Sequence, residues 1–190
     1  MREFWTADTH AGHRNIIKYC NRPYDNVYEM DEAYIKNHNS LVGKDDIVWH
    51  LGDVANACSI EYAINFVKRL NGRKRLILGN HDDLAFEMHN RVPGLWNSIE
   101  TYREIRVNGQ LIVMFHYPIS VWHHAYKGSW QLFGHVHGTN PNHGKSLDVG
   151  VDKWNFAPIT FNDIKKVMDN KNISEVFHNR WDKSNTDITT

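Results

Sequence analysis

Five times within the first 137 residues a short apolar run stops abruptly at aspartate, asparagine or histidine. Glu3 to Ala7 ends at Asp8-Thr9-His10, and Ile47-Val48-Trp49 leads into Gly52-Asp53. Arg75 to Leu78 ends at Gly79-Asn80-His81-Asp82, Leu111 to Phe115 at His116, and Gln131-Leu132-Phe133 at Gly134-His135-Val136-His137. Short apolar runs bounded by turn residues read as buried strands. Open α/β sheets gather ligands at the carboxyl ends of their strands, so five such ends can converge on one site. The constraint is severe: the chain must fold as layers that bring these ends together.

Helical patterns fill the intervals. Asn15 to Tyr19 offers a turn or two, stopped by Asn21-Arg22-Pro23. Met30 to Val42 is amphipathic and closes on Gly43. Ser59 reads as an N-cap, with Tyr62, Ala63, Phe66, Val67 and Leu70 along one face before Asn71-Gly72. In the second half, Thr101 to Val107 and Leu111 to Phe115 flank Asn108-Gly109, a hairpin signal. Ser146 to Val151 is a further strand, and Phe161 to Met168 a last helix capped by Thr160 or Asn162. Two β-rich halves with helices predict a sandwich of sheets flanked by helices. One domain is expected over 1–170, with a tail, 171–190, packed on it or frayed.

Composition narrows the partners. The chain has 190 residues, with 22 basic and 22 acidic side chains, so no broad basic footprint for nucleic acid exists and no stable nucleic-acid partner is expected. No apolar stretch approaches a membrane span, and the N-terminus turns polar too quickly for a secretory signal. Cys20 and Cys58 form no CxxC pattern and read as inert thiols in a reducing compartment, so a cytoplasmic location is expected, the host's if the gene is a phage's. The 13 histidines stand out against seven tryptophans.

Asp8, His10, Asp53, Asn80, His116, His135 and His137 together offer two Asp, one Asn and four His, with no thiolate. Such a set suits two borderline divalent cations in N/O coordination, manganese first, with iron, zinc, nickel or cobalt as alternatives. Two cations about 3.5–4 Å apart can hold a phosphate, generate a hydroxide and neutralise charge during in-line displacement. A further histidine beyond the ligand count can protonate the departing oxygen.

The ordered blocks D-x-H, G-D, G-N-H-D/E, a lone His and G-H-x-H, spread over residues 8 to 137, resemble the signature of the calcineurin-like metallophosphoesterases. The resemblance implies a four-layer α/β/β/α sandwich of two mixed sheets flanked by helices. It implies that Asp8 and His10 bind a first metal, that Asp53 bridges, that Asn80, His116 and His135 bind a second, and that His137 returns to the first. His81 matches the family's non-ligand histidine beside the scissile phosphate, and Asp82 completes the block as a residue able to orient it; both are taken as catalytic. The protein phosphatases of the family carry G-D-x-V-D-R-G and G-N-H-E. Here Gly52-Asp53-Val54-Ala55-Asn56-Ala57 lacks the arginine and the third block ends in Asp82, which lowers the odds of a phosphoprotein substrate. The longer opening, Asp8 to Ile17, is similar to small bacterial and phage phosphoesterases, for which nucleotide phosphodiesters are a frequent assignment.

The expected activity is hydrolysis of a nucleotide or other small phosphodiester by hydroxide generated at the metals. The alternatives are a phosphomonoesterase or pyrophosphatase on the same centre, and a non-catalytic protein-binding scaffold. A scaffold should show an eroded ligand set, and this set is complete. His13, Arg14 and Asn15 stand near the first block and are candidates for substrate contact. His50 reads as supporting the site without ligating. The aromatics of Pro118–Trp130, including Trp122, Tyr126 and Trp130, are candidates for a pocket rim, while His38, His89, His143 and His178 read as surface residues.

Overall fold

A computed structural model describes residues 1–139 and 143–173. Strands β1 (Glu3–Thr6), β2 (Ile47–His50), β3 (Arg73–Ile77) and β4 (Ser98–Glu100) run parallel in one sheet. Strand β9 (Ile159–Thr160) adds antiparallel beside β1, giving the order β4-β3-β2-β1-β9. The second sheet has the order β5-β6-β7-β8, from β5 (Tyr102–Val107), β6 (Gln110–Phe115), β7 (Trp130–Phe133) and β8 (Ser146–Asp148). Its first pair is the antiparallel hairpin turned by Asn108 (φ 50°) and Gly109 (φ 83°), and its other pairs are parallel. The fold is therefore α/β, two mixed sheets flanked by helices, as the sequence predicts.

Alternation decides which side chains face which layer. Trp5, Trp49 and Ile77 of the first sheet meet Ile112, Met114 and Leu132 of the second in one core, and none is more than 2% exposed. The opposite face of the first sheet is covered by α1 (Ile16–Tyr19), α2 (Val27–Leu41), α3 (Ile60–Arg69) and α4 (Ala85–Arg91), through Ile16, Tyr34, Phe66, Val67 and Met88 packed with Leu76. Helix α5 (Phe161–Asp169) inserts Ile164 and Met168 into the inter-sheet core beside β8 and β9. On the outer face of the second sheet Val113 is covered by Trp122 and Ala125, the latter opening a 3-10 turn, Ala125–Lys127. No helix among the described residues is long and apolar enough to cross a membrane.

Capping sets the helix starts. Asn26 accepts the backbone N–H of Glu29, so α2 begins three residues before the predicted Met30. Ser59 caps α3 as expected, and Thr160, not Asn162, caps α5 in a reciprocal box with Asp163. Sequence reading gave no element for α4, β4 or β9. Each is short, and α4 follows Leu84, which makes no capping bond. Its apolar residues make no long periodic run, so tertiary packing holds it. Of the aromatics expected at a pocket rim, Trp130 stacks on Phe161 in the core and Trp122 is 7% exposed; Tyr126 alone of the three is open to solvent. His38 is fully buried, bonded to the Asn71 carbonyl at 2.9 Å, and is no surface residue; His178 lies outside the described residues, as does the tail beyond residue 173.

Leu132, fully buried between the sheets, measures how tightly the layers depend on each other. Leu132→Ala should cost about 2–5 kcal/mol, read as a lowered denaturant midpoint with an unchanged m-value.

Candidate metal centre

Because β1, β2 and β3 are parallel, and β6 and β7 are parallel across the sandwich, their carboxyl ends open at one edge. The ligand-type residues leave those ends in left-handed backbone: Asp8 (φ 58°), His10 (49°), Asp53 (57°), His135 (71°) and His137 (48°). Such conformations cost roughly 1–3 kcal/mol each and persist where surrounding packing dictates them. Glycine supplies the clearance. A Cβ on Gly79 would collide with Asp53 Oδ1, and one on Gly134 would lie 2.8 Å from Asp8 Oδ2.

Two clusters form. Asp8, His10 and His137 can place one ligand atom each within 4.8 Å of one another, and Asp53, His116 and His135 do the same. Asp53 joins them: its Oδ2 lies 3.5 Å from Nε2 of His10 and 3.5 Å from Nε2 of His116. His116 donates Nδ1–H to the Leu51 carbonyl at 2.7 Å, so in the neutral ring that a metal binds Nε2 carries the lone pair. That lone pair stands 3.1 Å from Asn80 Oδ1, so Asp53, Asn80 and His116 converge as acceptors on a point that a cation satisfies. His10 gives the second test: it is 2% exposed and neither ring nitrogen has a hydrogen-bond partner among the described residues. Orphaned imidazole nitrogens inside a protein cost free energy, and coordination removes that cost. The residues present fit two divalent cations.

The electrostatics are those of a site short of positive charge. Burial pushes the Asp8 carboxyl up to about 7, against the opposing pull of His137 and His116. Burial lowers His10 to about 3 despite Asp53, so it stands as the neutral imidazole a metal requires. Burial also works to lower His137, but the Asp152 carboxylate, with Cys20 and Asp8 beside it, overcomes burial and raises the group to about 10.

Asp152 is one of two supporting residues that sequence reading missed. His137 Nδ1 lies 2.7 Å from Asp152 Oδ2, so the ring donates there and aims Nε2 away. Asp152 is held in turn by the buried Arg22 guanidinium, at 2.8 and 3.0 Å. Arg22 also donates to the carbonyls of Asp8 and Thr9, tying the first ligand loop to the last. Neither residue carries a motif: Arg22 precedes a proline in what reads as a helix stop, and Asp152 lies 15 residues past the final block. A polar network below the first loop supports His50 as expected. Thr9 donates to the Val54 carbonyl and lies 3.0 Å from His50 Nε2, which therefore donates to Thr9.

The centre opens into a cleft of about 630 Å³ lined by His10, His13, Asp53, Asn80, His81 and His135 among others. His81 is exposed there, its ring centroid 5.4 Å from that of His10, and its backbone N–H donates to Asp53 Oδ1 at 2.9 Å. Asp82 points elsewhere. Its carboxylate accepts the backbone N–H groups of Asp53, Val54 and Gly79 at 2.8–2.9 Å, clamping the second loop to the third. Of the three candidates for substrate contact, His13 lines the cleft, whereas Arg14 and Asn15 are exposed and stand outside its lining.

Asp152→Asn removes the charge behind His137 and leaves Arg22 without its counter-ion. It should weaken Mn²⁺ binding by about 10–100-fold in calorimetric titration and lower the melting temperature.

The sequence model of the calcineurin-like phosphoesterase family matches residues 1–139. An uncharacterized protein of Methanocaldococcus jannaschii is 35% identical over 179 residues, covering 89% of this chain and 93% of its own. The gene 66 protein of Mycobacterium phage L5 is 30% identical over 184 residues, covering 81% of this chain and 88% of its own. Among solved structures, a protein of unknown function from Aquifex aeolicus superposes with a TM-score of 0.70 at 21% identity, covering 87% of this chain and 98% of that one; the likeness is one of fold. With the ordered ligand blocks inside the matched region, the chain belongs to the calcineurin-like phosphoesterase family, hydrolases of phosphate esters that work with divalent metals.

Proposed function

We propose that the protein is a dinuclear metal-dependent phosphodiesterase acting on a nucleotide or another small phosphodiester. The observation that carries the reading is Asp53, one carboxylate oxygen 3.5 Å from the Nε2 atoms of two histidines belonging to two different clusters. Asp8, His10, His137 and Asp53 would hold one cation, and Asp53, Asn80, His116 and His135 the other. Bound there, two divalent cations supply Lewis acidity toward the phosphoryl oxygens and make an attacking water acidic enough to react at neutral pH. His81 stands at the cleft beside this centre, positioned by the bond from its own backbone to Asp53. As water adds to phosphorus and the ester P–O bond breaks, a ring nitrogen of His81 gives its proton to the departing oxygen. Asp82 is a positioning residue, acting through the backbone amides it holds. His13 is assigned to substrate contact.

The preference for diesters rests on the cleft lining, which among the described residues contains no lysine or arginine. A monoester dianion brings one more negative charge than a diester and gains most from such groups. Manganese is the metal of the test, and a comparison of bis-p-nitrophenyl with p-nitrophenyl phosphate separates the two substrate classes. Faster monoester turnover would make the protein a phosphomonoesterase on the same centre.

Two variants probe the assignments. Metal-loaded wild-type protein should carry close to two transition metals per chain by elemental analysis, and Asp53→Asn should lower that stoichiometry and abolish activity. His81→Ala should keep the metal content and cut kcat by about 10²–10⁴ on a poor leaving group, and by less on a p-nitrophenyl diester, whose leaving group scarcely needs a proton. Loss of both metals in His81→Ala would make His81 a ligand. Full activity on the poor leaving group would remove it from the mechanism.

A further inference from the structure

An imidazole that binds a metal is kept on its cation by whatever fixes the ring, most often a hydrogen bond from the nitrogen that does not coordinate. Three of the four histidines in the two clusters have their rings fixed. The Leu51 carbonyl takes the Nδ1–H of His116, Asp152 takes that of His137, and His10 is shut in at 2% exposure. His135 is different. Its backbone N–H is held by the Asp8 carboxylate at 2.9 Å, but its ring is exposed at the cleft and makes no hydrogen bond among the described residues. The backbone settles where this side chain starts and leaves its rotamer to the neighbours.

Tyr117 supplies the missing support. Its ring centroid lies 4.7 Å from that of His135 at 66°, an edge-to-face contact, and 5.0 Å from that of His116 at 78°. Both distances fall at the short end of the favourable range for aromatic pairs. The two imidazoles also meet each other, at 5.2 Å and 68°, so the three rings are in mutual contact. Tyr117 is tethered in its turn. Gln131, fully buried on β7, donates Nε2–H to the Tyr117 carbonyl at 3.0 Å and accepts the Ile119 N–H at 3.1 Å. One amide thus clamps the chain on both sides of Pro118, and proline itself restricts the residue before it to extended backbone. At 37% exposure Tyr117 adds little to the core, while two of the rings it touches belong to the centre.

We infer that Tyr117 is a positioning residue for the second cation, its ring holding the His135 imidazole in the orientation that coordinates. The inference rests on the dinuclear reading, and it makes one of the two sites depend on this side chain.

Calorimetric titration of the metal-free full-length protein with Mn²⁺ tests it without catalysis. The wild type should show two sites. Tyr117→Ala should weaken one by about tenfold and leave the other within about twofold, since a ring contact supports an imidazole less strongly than a charged partner does. Tyr117→Phe keeps the ring and should bind as the wild type does. Tyr117→Leu keeps bulk without a flat ring and should reproduce the selective loss, which covers the case of an alanine variant that melts lower. At a Mn²⁺ concentration that just fills both wild-type sites, electron paramagnetic resonance should show a coupled pair in the wild type and in Tyr117→Phe. Tyr117→Ala should show isolated Mn²⁺ instead, a signature that a general loss of stability does not produce. Adding Asp152→Asn, which acts on the His137 site, should then weaken both sites. Equal weakening of both sites by Tyr117→Ala and Tyr117→Leu overturns the assignment, and so does a loss in Tyr117→Phe as large as in Tyr117→Ala. Two ions bound unchanged in the alanine and leucine variants overturn it while the dinuclear reading stands. A wild type that binds one ion, weakened in Tyr117→Ala, supports the assignment and counts against that reading. No Mn²⁺ binding by the wild type overturns both.

Discussion

The buried carboxylate of Asp53 is the constraint around which the site is organised. At 2% exposure it has little water to stabilise its charge, and such a group survives only with close compensation. The protein surrounds it on three sides. His10 comes from the loop after β1, His116 from the end of β6, and the His81 N–H from the loop after β3. Burial works to raise this carboxyl, yet His116, the His81 amide and His10 together hold it down at about 2. Two cations fit the same balance, because they place positive charge beside this carboxylate while leaving the imidazole nitrogens free to bind them.

Asp82 and Arg22 make that arrangement rigid by different means. Asp82 satisfies three backbone N–H groups that would otherwise be orphaned where the loops after β2 and β3 leave the sheet. Arg22 spans a larger gap. It bonds to carbonyls of the first loop and to Asp152, which steadies His137 of the last, so one guanidinium couples the two ends of the ligand order. The isolated bridge between Ala7 and Gly150 draws the same segments together, linking the extension of β1 to the chain after β8. Strained backbone at five ligand-type positions is tolerable because these contacts leave the loops no relaxed alternative.

The cleft brings imidazoles and amides together at the centre: His10, His13, His81 and His135 line it with Asn56 and Asn80, beside the apolar side chains of Ile16 and Val136. Neutral donors and acceptors of this kind suit the oxygens of a phosphate once its charge is balanced.

The sequence by itself determined the strand ends and the residues placed on them, because short apolar runs and abrupt polar stops are local signals. Asp8, His10, Asp53, Asn80, His116, His135 and His137 are legible as one inventory, and so are the Asn108-Gly109 hairpin and the Ser59 cap. The tertiary structure alone decided how that inventory is shared. That Asp53 faces two histidines depends on the spacing of three loops across two sheets, which no local pattern encodes. Arg22 and Asp152 were invisible because they are 130 residues apart and a salt bridge between them leaves no periodicity. Asp82 sits beside His81 in sequence, yet its carboxylate turns to the backbone of the second loop, since the tight departure at Gly79 puts three amides within its reach. His38 and Trp130 went into the interior for the same reason: polar or amphipathic side chains take their burial from the partners the fold brings to them, here the Asn71 carbonyl and the face of Phe161.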